Sequence, residues 1–205
     1  MKILALDLST AAAGWALFDA KTKKLLTYGV VKPQVKGITA MTYPRGQLMK
    51  MRSITEQIKA IIESNPDLTR IAIEEVNRGI ARLTQKTLDG LHFIFVDRCE
   101  SYIPIMVYRD SDGKVGWRKV LNFVLSDNDK RLNTERKKLN VQYKKLRKKM
   151  KRGEGPSDLP IINKKHLACR FVNKTYGLNL DCDANETDGD IADAIGLGHV
   201  VVNGL

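Results

Sequence analysis

Apolar positions along the first third of the chain come in short runs broken by small or charged residues. Ile3–Ser9 (ILALDLS), Gly14–Asp19 (GWALFD) and Leu25–Val31 (LLTYGVV) are strand-length, and the linkers TAAAG and AKTKK are too short for a crossover. These runs predict a three-stranded antiparallel meander. The period then changes. Over Gln47–Glu63 the apolar residues Leu48, Met51, Ile54, Ile58, Ile61 and Ile62 recur at helical spacing, and Asn65-Pro66 stops the helix. Arg70–Val76 (RIAIEEV) predicts a buried strand with a polar end. Ala81–Ser101 predicts a long helix with Leu88, Leu91 and Phe95 on its apolar face. Tyr102–Tyr108 (YIPIMVY) predicts a further strand, whose proline suits an edge. A short helix over Trp117–Leu125 and helices over Asn163–Tyr176 and Gly189–Asn203 complete the pattern. Strands alternating with helices after a meander predict an α/β domain with a mixed sheet.

Charge changes this picture in one place. The chain carries a formal +12, yet residues 129–152 (DKRLNTERKKLNVQYKKLRKKMKR) hold 12 Lys and Arg against 2 Asp and Glu. That segment is +10 and everything else only +2. A concentrated basic segment suits a polyanion, because each phosphate it neutralises releases condensed counterions. No apolar anchor accompanies the charge, so nucleic acid is expected and a membrane surface is not. Leu139, Tyr143, Leu146 and Met150 form a narrow stripe along the segment, which predicts a helix with something to pack against, a second copy in a dimer being one candidate. Arg152–Pro160 predicts a flexible break. Cys99, Cys169 and Cys182 are odd in number, widely spaced and free of any CxxC pair, so they are expected as reduced thiols of a cytoplasmic protein. The start, MKILALDL, has no signal-peptide pattern, and the longest apolar runs are strand-sized.

The acidic residues raise the chemical question. TDGDIADAIGLG places Asp188, Asp190 and Asp193 around the start of the last helix. Asp188 suits the N-cap, with Thr187 competing, and acidic groups there gain about 0.3–1 kcal/mol from the helix dipole. Asp190 and Asp193, three apart, share a face. Asp193 lies among Ile191, Ala192, Ala194, Ile195, Gly196 and Leu197, on a helix apolar nearly all round. A carboxylate buried there calls for a cation. Asp7 interrupts an apolar strand, and Glu74 and Glu75 end another; adjacent strand residues face opposite ways, so only one glutamate can point with Asp7. Carboxylates from two strand ends and one helix suit a pair of hard Mg²⁺ or Mn²⁺ ions. The three histidines, His92, His166 and His199, have no ligand-like spacing, which argues against zinc.

ILALDLSTAAAGWAL, IAIEEV and DGDIADAIGLG, in that order and at these distances, resemble the RuvC-type Holliday junction resolvases of the RNase H-like superfamily. The resemblance covers most of the chain apart from about residues 126–160. It implies an RNase H-like mixed five-stranded sheet, an antiparallel meander plus parallel strands, flanked by helices, in a single nuclease domain over 1–205 with a basic helical insertion at about 126–160. It implies that Asp7, Glu74, Asp190 and Asp193 hold two Mg²⁺ ions (Mn²⁺ substituting), Glu74 being preferred over Glu75 because the family glutamate directly follows the apolar step. One ion would lower the pKa of the attacking water and the other neutralise charge on the leaving oxygen. Family lysines near the scissile phosphate imply Lys119 and one of Lys164 or Lys165. The implied substrate is branched DNA, four-way junctions and forks, gripped by a homodimer whose two-fold axis matches paired nicks. Lys137, Lys138, Lys144, Lys145, Arg147 and Lys148 would hold duplex arms through phosphates, with Lys164 and Lys165 nearer the cut. Where cellular bacterial resolvases carry an aromatic after the glutamate, this chain has Asn77 and Arg78, so strong sequence preference is not expected. The long basic insertion points to the phage and viral branch, acting in the host cytoplasm. Three other readings compete: a nuclease acting on RNA–DNA hybrid or structured RNA, an actin-like kinase, which would need a second phosphate-binding Gly-rich segment and usually a longer chain, and a non-catalytic DNA-binding module with a decayed site.

Overall fold

The computed structural model describes residues 1–37, 43–75, 82–99, 106–111, 116–150 and 154–205. Five strands, β1 (Lys2–Asp7), β2 (Ala13–Asp19), β3 (Leu25–Val31), β4 (Leu68–Glu74) and β5 (Met106–Arg109), form one sheet in the order β3-β2-β1-β4-β5. The first three pair antiparallel as the predicted meander; β4 joins β1 in parallel, and β5 joins β4 in parallel at the edge. Helices α1 (Arg45–Glu63), α2 (Arg82–Cys99), α3 (Trp117–Val120), α4 (Asp127–Arg147), α5 (Lys164–Tyr176) and α6 (Asp188–Asn203) complete the chain. This is the mixed five-stranded sheet flanked by helices that the resemblance implies. Asn77, Arg78 and the Tyr102–Ile105 part of the fifth predicted strand lie outside the described residues.

Strand alternation divides the core into two layers. Leu4, Leu6, Leu17, Ile71 and Ile73 pack with Ile54, Ile58, Leu91 and Phe95 of α1 and α2. Ile3, Ala5, Ala16, Phe18 and Ala72 face the other way, onto Ala192, Ala194, Ile195 and Leu197 of α6. Fully buried residues such as Phe18, Ile195 and Leu197 contribute about 1.5–3 kcal/mol each. Period two carries the Ile3–Ala5 series on to Asp7, and the Ala72 position on to Glu74. Both acids therefore end their strands on the α6 side.

Helix α4 packs differently from expectation. Leu139, Leu146 and Met150 of the anticipated stripe are exposed, and Tyr143 is half-buried. The face that packs is polar. Asn133 exchanges two 2.8 Å hydrogen bonds with the backbone of Ile162, and Asn140 donates to Leu159 O at 2.9 Å and accepts from Leu159 N at 2.7 Å. Arg136 and Arg147 donate to the carbonyls of Pro160 and Pro156. The spacing explains the fit: seven helical residues rise about 10.5 Å, and three extended residues span about 10 Å. Two asparagines thus give an extended strap, residues 156–162, the pairing a neighbouring strand would give. An extended peptide needs hydrogen bonds more than apolar surface, which is why the hydrophobic stripe is not the packed face.

Cys169 and Cys182, expected as reduced thiols, are joined in a disulfide; Cys99 remains a free buried thiol. The cause is a chain reversal. Gly177 caps α5 at φ 67°, a left-handed conformation glycine adopts without strain. Asn173 then bonds the backbone of Leu180 through donor and acceptor, both at 2.9 Å, and the returning segment comes alongside α5. Among the described residues, no helix is long and apolar enough to cross a membrane.

Candidate metal centre

Asp7 ends β1, Glu74 ends β4, and Asp193 sits on the second turn of α6. Each offers a carboxylate oxygen, and the three lie within 4.8 Å of one another. The ladder explains the first two: Ala5 pairs with Ala72 and Leu6 with Ile73, so the next step of the parallel register sets Asp7 beside Glu74. Glu75, the alternative, is exposed. Asp193 is fully buried, and helix α6 reaches the strand ends because of Gly14. That residue pairs with Asp7 across β1 and β2, and a Cβ on it would stand 2.0 Å from the carbonyl oxygen of Asp190. Only a residue without a side chain lets α6 come this close.

Burial is the main force on these acids. It pushes the Asp7 carboxyl well above the usual carboxylate range, and the charges of Glu74 and Asp193 add to it while Lys165 opposes. It raises Glu74 from an ordinary 4.5 to about 7, against the nearby Arg118 charge and hydrogen bonds from Trp117 and Ser111. Asp193 is raised by the same cause, again against Arg118. Trp117 Nε1 donates to Glu74 Oε2 at 3.2 Å. Arg118 Nη2 stands 2.6 Å from Asp193 Oδ2 and 3.5 Å from Glu74 Oε1. Asp193 Oδ1 is buried with no hydrogen-bond partner among the described residues.

Asp190 lies one turn before Asp193 and holds Lys165 in a close ion pair. It is near enough to push up the pKa values of Asp7 and Asp193, but it stands outside the group of three converging oxygens. Burial acts against the Lys165 ammonium, yet its bond to Asp190 and the charges of Asp7 and Asp193 outweigh that and raise its pKa. Lys165 is placed by the start of α5, where Asn163 caps the helix by accepting from Lys165 N at 2.9 Å. Asp188 is not the cap anticipated for α6. Thr187 occupies that position without a capping side-chain bond, its hydroxyl donating instead to Asn185 Oδ1 at 2.9 Å, and Asp188 accepts from Asp181 N at 2.7 Å and Asn185 Nδ2 at 2.6 Å, fastening the incoming loop.

The anticipated cations divide. Lys119 is exposed at the rim of a groove lined by Arg118, Asn122, Phe123, Val124 and Lys164, while its neighbour Arg118 is the one buried against the carboxylates. Lys137, Lys138, Lys144, Lys145, Lys148 and Lys164 are exposed. Arg147 instead faces the strap, donating to Pro156 O at 2.7 Å and Asp158 at 2.5 Å. Gly14, Trp117 and Arg118 also belong to the centre; they lie inside stretches that carry the resemblance, but the sequence assigns them no role. A glycine in register with the strand aspartate was the one available signal.

An oxygen-only donor set from two strand ends and α6, one oxygen of it buried and without a partner among the described residues, fits a hard divalent ion. No family model matches this sequence, and no curated protein does. Among solved structures the chain is similar to Thermus thermophilus RuvC, with TM-score 0.49 and 13% identity over 100% of this chain and 97% of that one. It is similar to T. thermophilus RuvC in complex with a Holliday junction substrate, with TM-score 0.47 and 10% identity over 100% and 94%. It is similar also to the yeast mitochondrial Holliday junction resolvase, with TM-score 0.47 and 14% identity over 98% and 77%. At these scores the likeness carries no weight for the site, which stands on its own geometry.

Proposed function

We propose that this chain is a divalent-metal-dependent endonuclease that cuts Holliday junctions and other branched DNA by phosphodiester hydrolysis. The observation that carries the reading is the convergence of Asp7, Glu74 and Asp193 within 4.8 Å, with a buried Asp193 oxygen left without a hydrogen-bond partner among the described residues. Asp7, Glu74 and Asp193 hold the ions, and Asp190 completes the shell from its place beside Lys165. Mg²⁺ bound there supplies an activated water and neutralises charge on the leaving oxygen. The chain's own residues do the rest. Lys165, with Lys164 and Lys119 at the rim, orients the scissile phosphate, and the exposed lysines of α4 grip duplex arms through phosphates without reading bases. Paired nicks in a four-way junction call for a homodimer. The choice of branched DNA rests on the ordered motif set in the sequence and on the basic segment, and the insertion supports the phage and viral branch.

The test is nicking of end-labelled DNAs in Mg²⁺: a four-way junction, a three-way fork and a linear duplex, with Asp7→Asn as control. Symmetric cuts near the branch, absent from the duplex and lost in the variant, are expected. Tight junction binding without cutting would make the protein a binding module. Cutting only after one strand is replaced by RNA would move it to the hybrid nucleases.

A further inference from the structure

Arg118 is the residue of this centre that metal chemistry does not require. Its guanidinium is buried, 2.6 Å from Asp193 Oδ2 and 3.5 Å from Glu74 Oε1, with Cζ 4.9 Å from the centroid of the Trp117 ring. Glu74 and Asp193 are also two of the three acids whose oxygens converge as ligands. A guanidinium and a divalent ion therefore address the same pair of carboxylates. Like charges that close, partly out of water, repel strongly. With no cation at all, the buried carboxylates of Glu74 and Asp193, beside a half-buried Asp7, are expensive to ionise. Lys165 is committed to Asp190, so Glu74 and Asp193 still need one cation or the other.

We propose, on the reading that this is a metal centre, that Arg118 is the exchangeable counter-cation of the metal-free site. It holds Glu74 and Asp193 together until an ion arrives, competes with that ion for them, and withdraws when the ion binds. The surroundings allow the side chain to move while the backbone stays. Trp117 is fully buried, and Arg118 N is fixed by Ser111 O at 3.1 Å. The groove that Arg118 lines with Lys119, Asn122 and Lys164 gives the displaced guanidinium a place where it would meet a phosphate.

The test uses the full chain and Mn²⁺ alone, without DNA. In Arg118→Gln, calorimetric Mn²⁺ affinity should tighten by about tenfold or more. The metal-free Tm should fall and saturating Mn²⁺ should recover it. Lys119→Gln removes the same charge from the rim without touching a carboxylate, and its affinity should change much less. Unchanged or weaker Mn²⁺ binding in Arg118→Gln would overturn the proposal, because a mere structural brace behaves that way. Should that variant not fold, wild-type protein with ¹⁵N-labelled arginine decides. The Arg118 guanidinium signal, assigned by its loss in Arg118→Lys, should show hindered rotation without metal and free rotation at Mg²⁺ saturation. A signal still hindered at saturation would overturn it. Wild-type protein that binds no Mn²⁺ would sink the metal-centre reading itself, a failure distinct from that of Arg118.

Discussion

The acidic centre and helix α4 are both dense in charge, and they handle it in opposite ways. In the centre, acids are taken out of water by β1, β4 and α6, and every neighbour matters because burial leaves little solvent to screen it. On α4 the exposed lysines remain solvated, and the helix is held to the strap by amides and by two partly exposed arginines. The difference teaches where each kind of function is stored. A chemistry that needs shifted pKa values requires a packed scaffold; a phosphate grip requires only that the charges be displayed. Changes in the centre should therefore alter folding, protonation and metal binding together, and changes on α4 should alter one long-range interaction alone.

The largest effect is expected at Gly14, where the centre depends on backbone approach. In Gly14→Ala the new Cβ meets a carbonyl oxygen, which cannot swing aside as a side chain would. The strand and α6 must separate, at about 1–3 kcal/mol or more. Thermal melts should show the loss, and calorimetry should show Mn²⁺ affinity lost with it. Full Mn²⁺ affinity in the variant would mean that α6 does not need this approach.

Next comes Asp7→Asn. Nicking should fall to background, while the metal-free protein at pH 8 should become more stable, because the change removes the cost of desolvating the Asp7 carboxylate and, with it, the repulsion of Glu74 and Asp193. Like charges at contact distance repel by at least on the order of 1 kcal/mol, so Tm should rise by about 2–4 °C. A lower Tm would show that Asp7 braces the fold.

A pH titration separates the two regions by sign. Glu74 is raised from 4.5 to about 7 in the folded chain, so the native state binds more protons than the unfolded state between those values. Metal-free stability should therefore fall as pH rises from about 4.5 to about 7, and Asp7 and Asp193, also raised by burial, should add to the fall. Saturating Mg²⁺ should reverse the slope, since ions bind the deprotonated acids. Asp129 of α4 behaves oppositely. The Ser126 hydroxyl, aided by Arg170, holds it below its ordinary 3.8, so its contribution persists above that value and is lost only as pH falls below it. Melts of metal-free protein between pH 4.5 and 8 that show no decline would contradict the burial of Glu74.

The same contrast explains what was legible in the sequence. Strand alternation is a local rule, and it says that only one of Glu74 and Glu75 can share a face with Asp7; the family resemblance picks Glu74, and the structure places Glu74 there with Glu75 exposed. The apolar wrapping of Asp193 likewise announced its burial. Arg118 was hidden because α3 is only four residues long, too short for periodicity to say which of Arg118 and Lys119 turns inward. The Cys169–Cys182 bond depends on the reversal at Gly177, and Asp188 binds a loop whose path no pattern announces. On α4 the apolar stripe was misleading. Its partner is a peptide backbone, so the residues that pack are asparagines and arginines, which read as surface in any hydropathy pattern.

The smallest effect belongs to α4. Lys144→Gln with Lys145→Gln removes two exposed charges from the end of the helix and touches no bond to the strap. Tm and Mn²⁺ affinity should stay at the wild-type values. Junction binding should weaken at low salt, and the slope of log K against log salt should flatten by about 0.9 for each phosphate contact removed. Asn140→Ala is the counterpart. It deletes both bonds to Leu159 and leaves every lysine in place, so residues 156–162 should exchange amide protons faster while the salt slope is kept. If the asparagine variant flattens the slope as much as the lysine pair, α4 is more than a carrier of displayed charge. Its lysines would then need the strap to hold them in register with the phosphates, and the grip would be as dependent on packing as the acidic centre is.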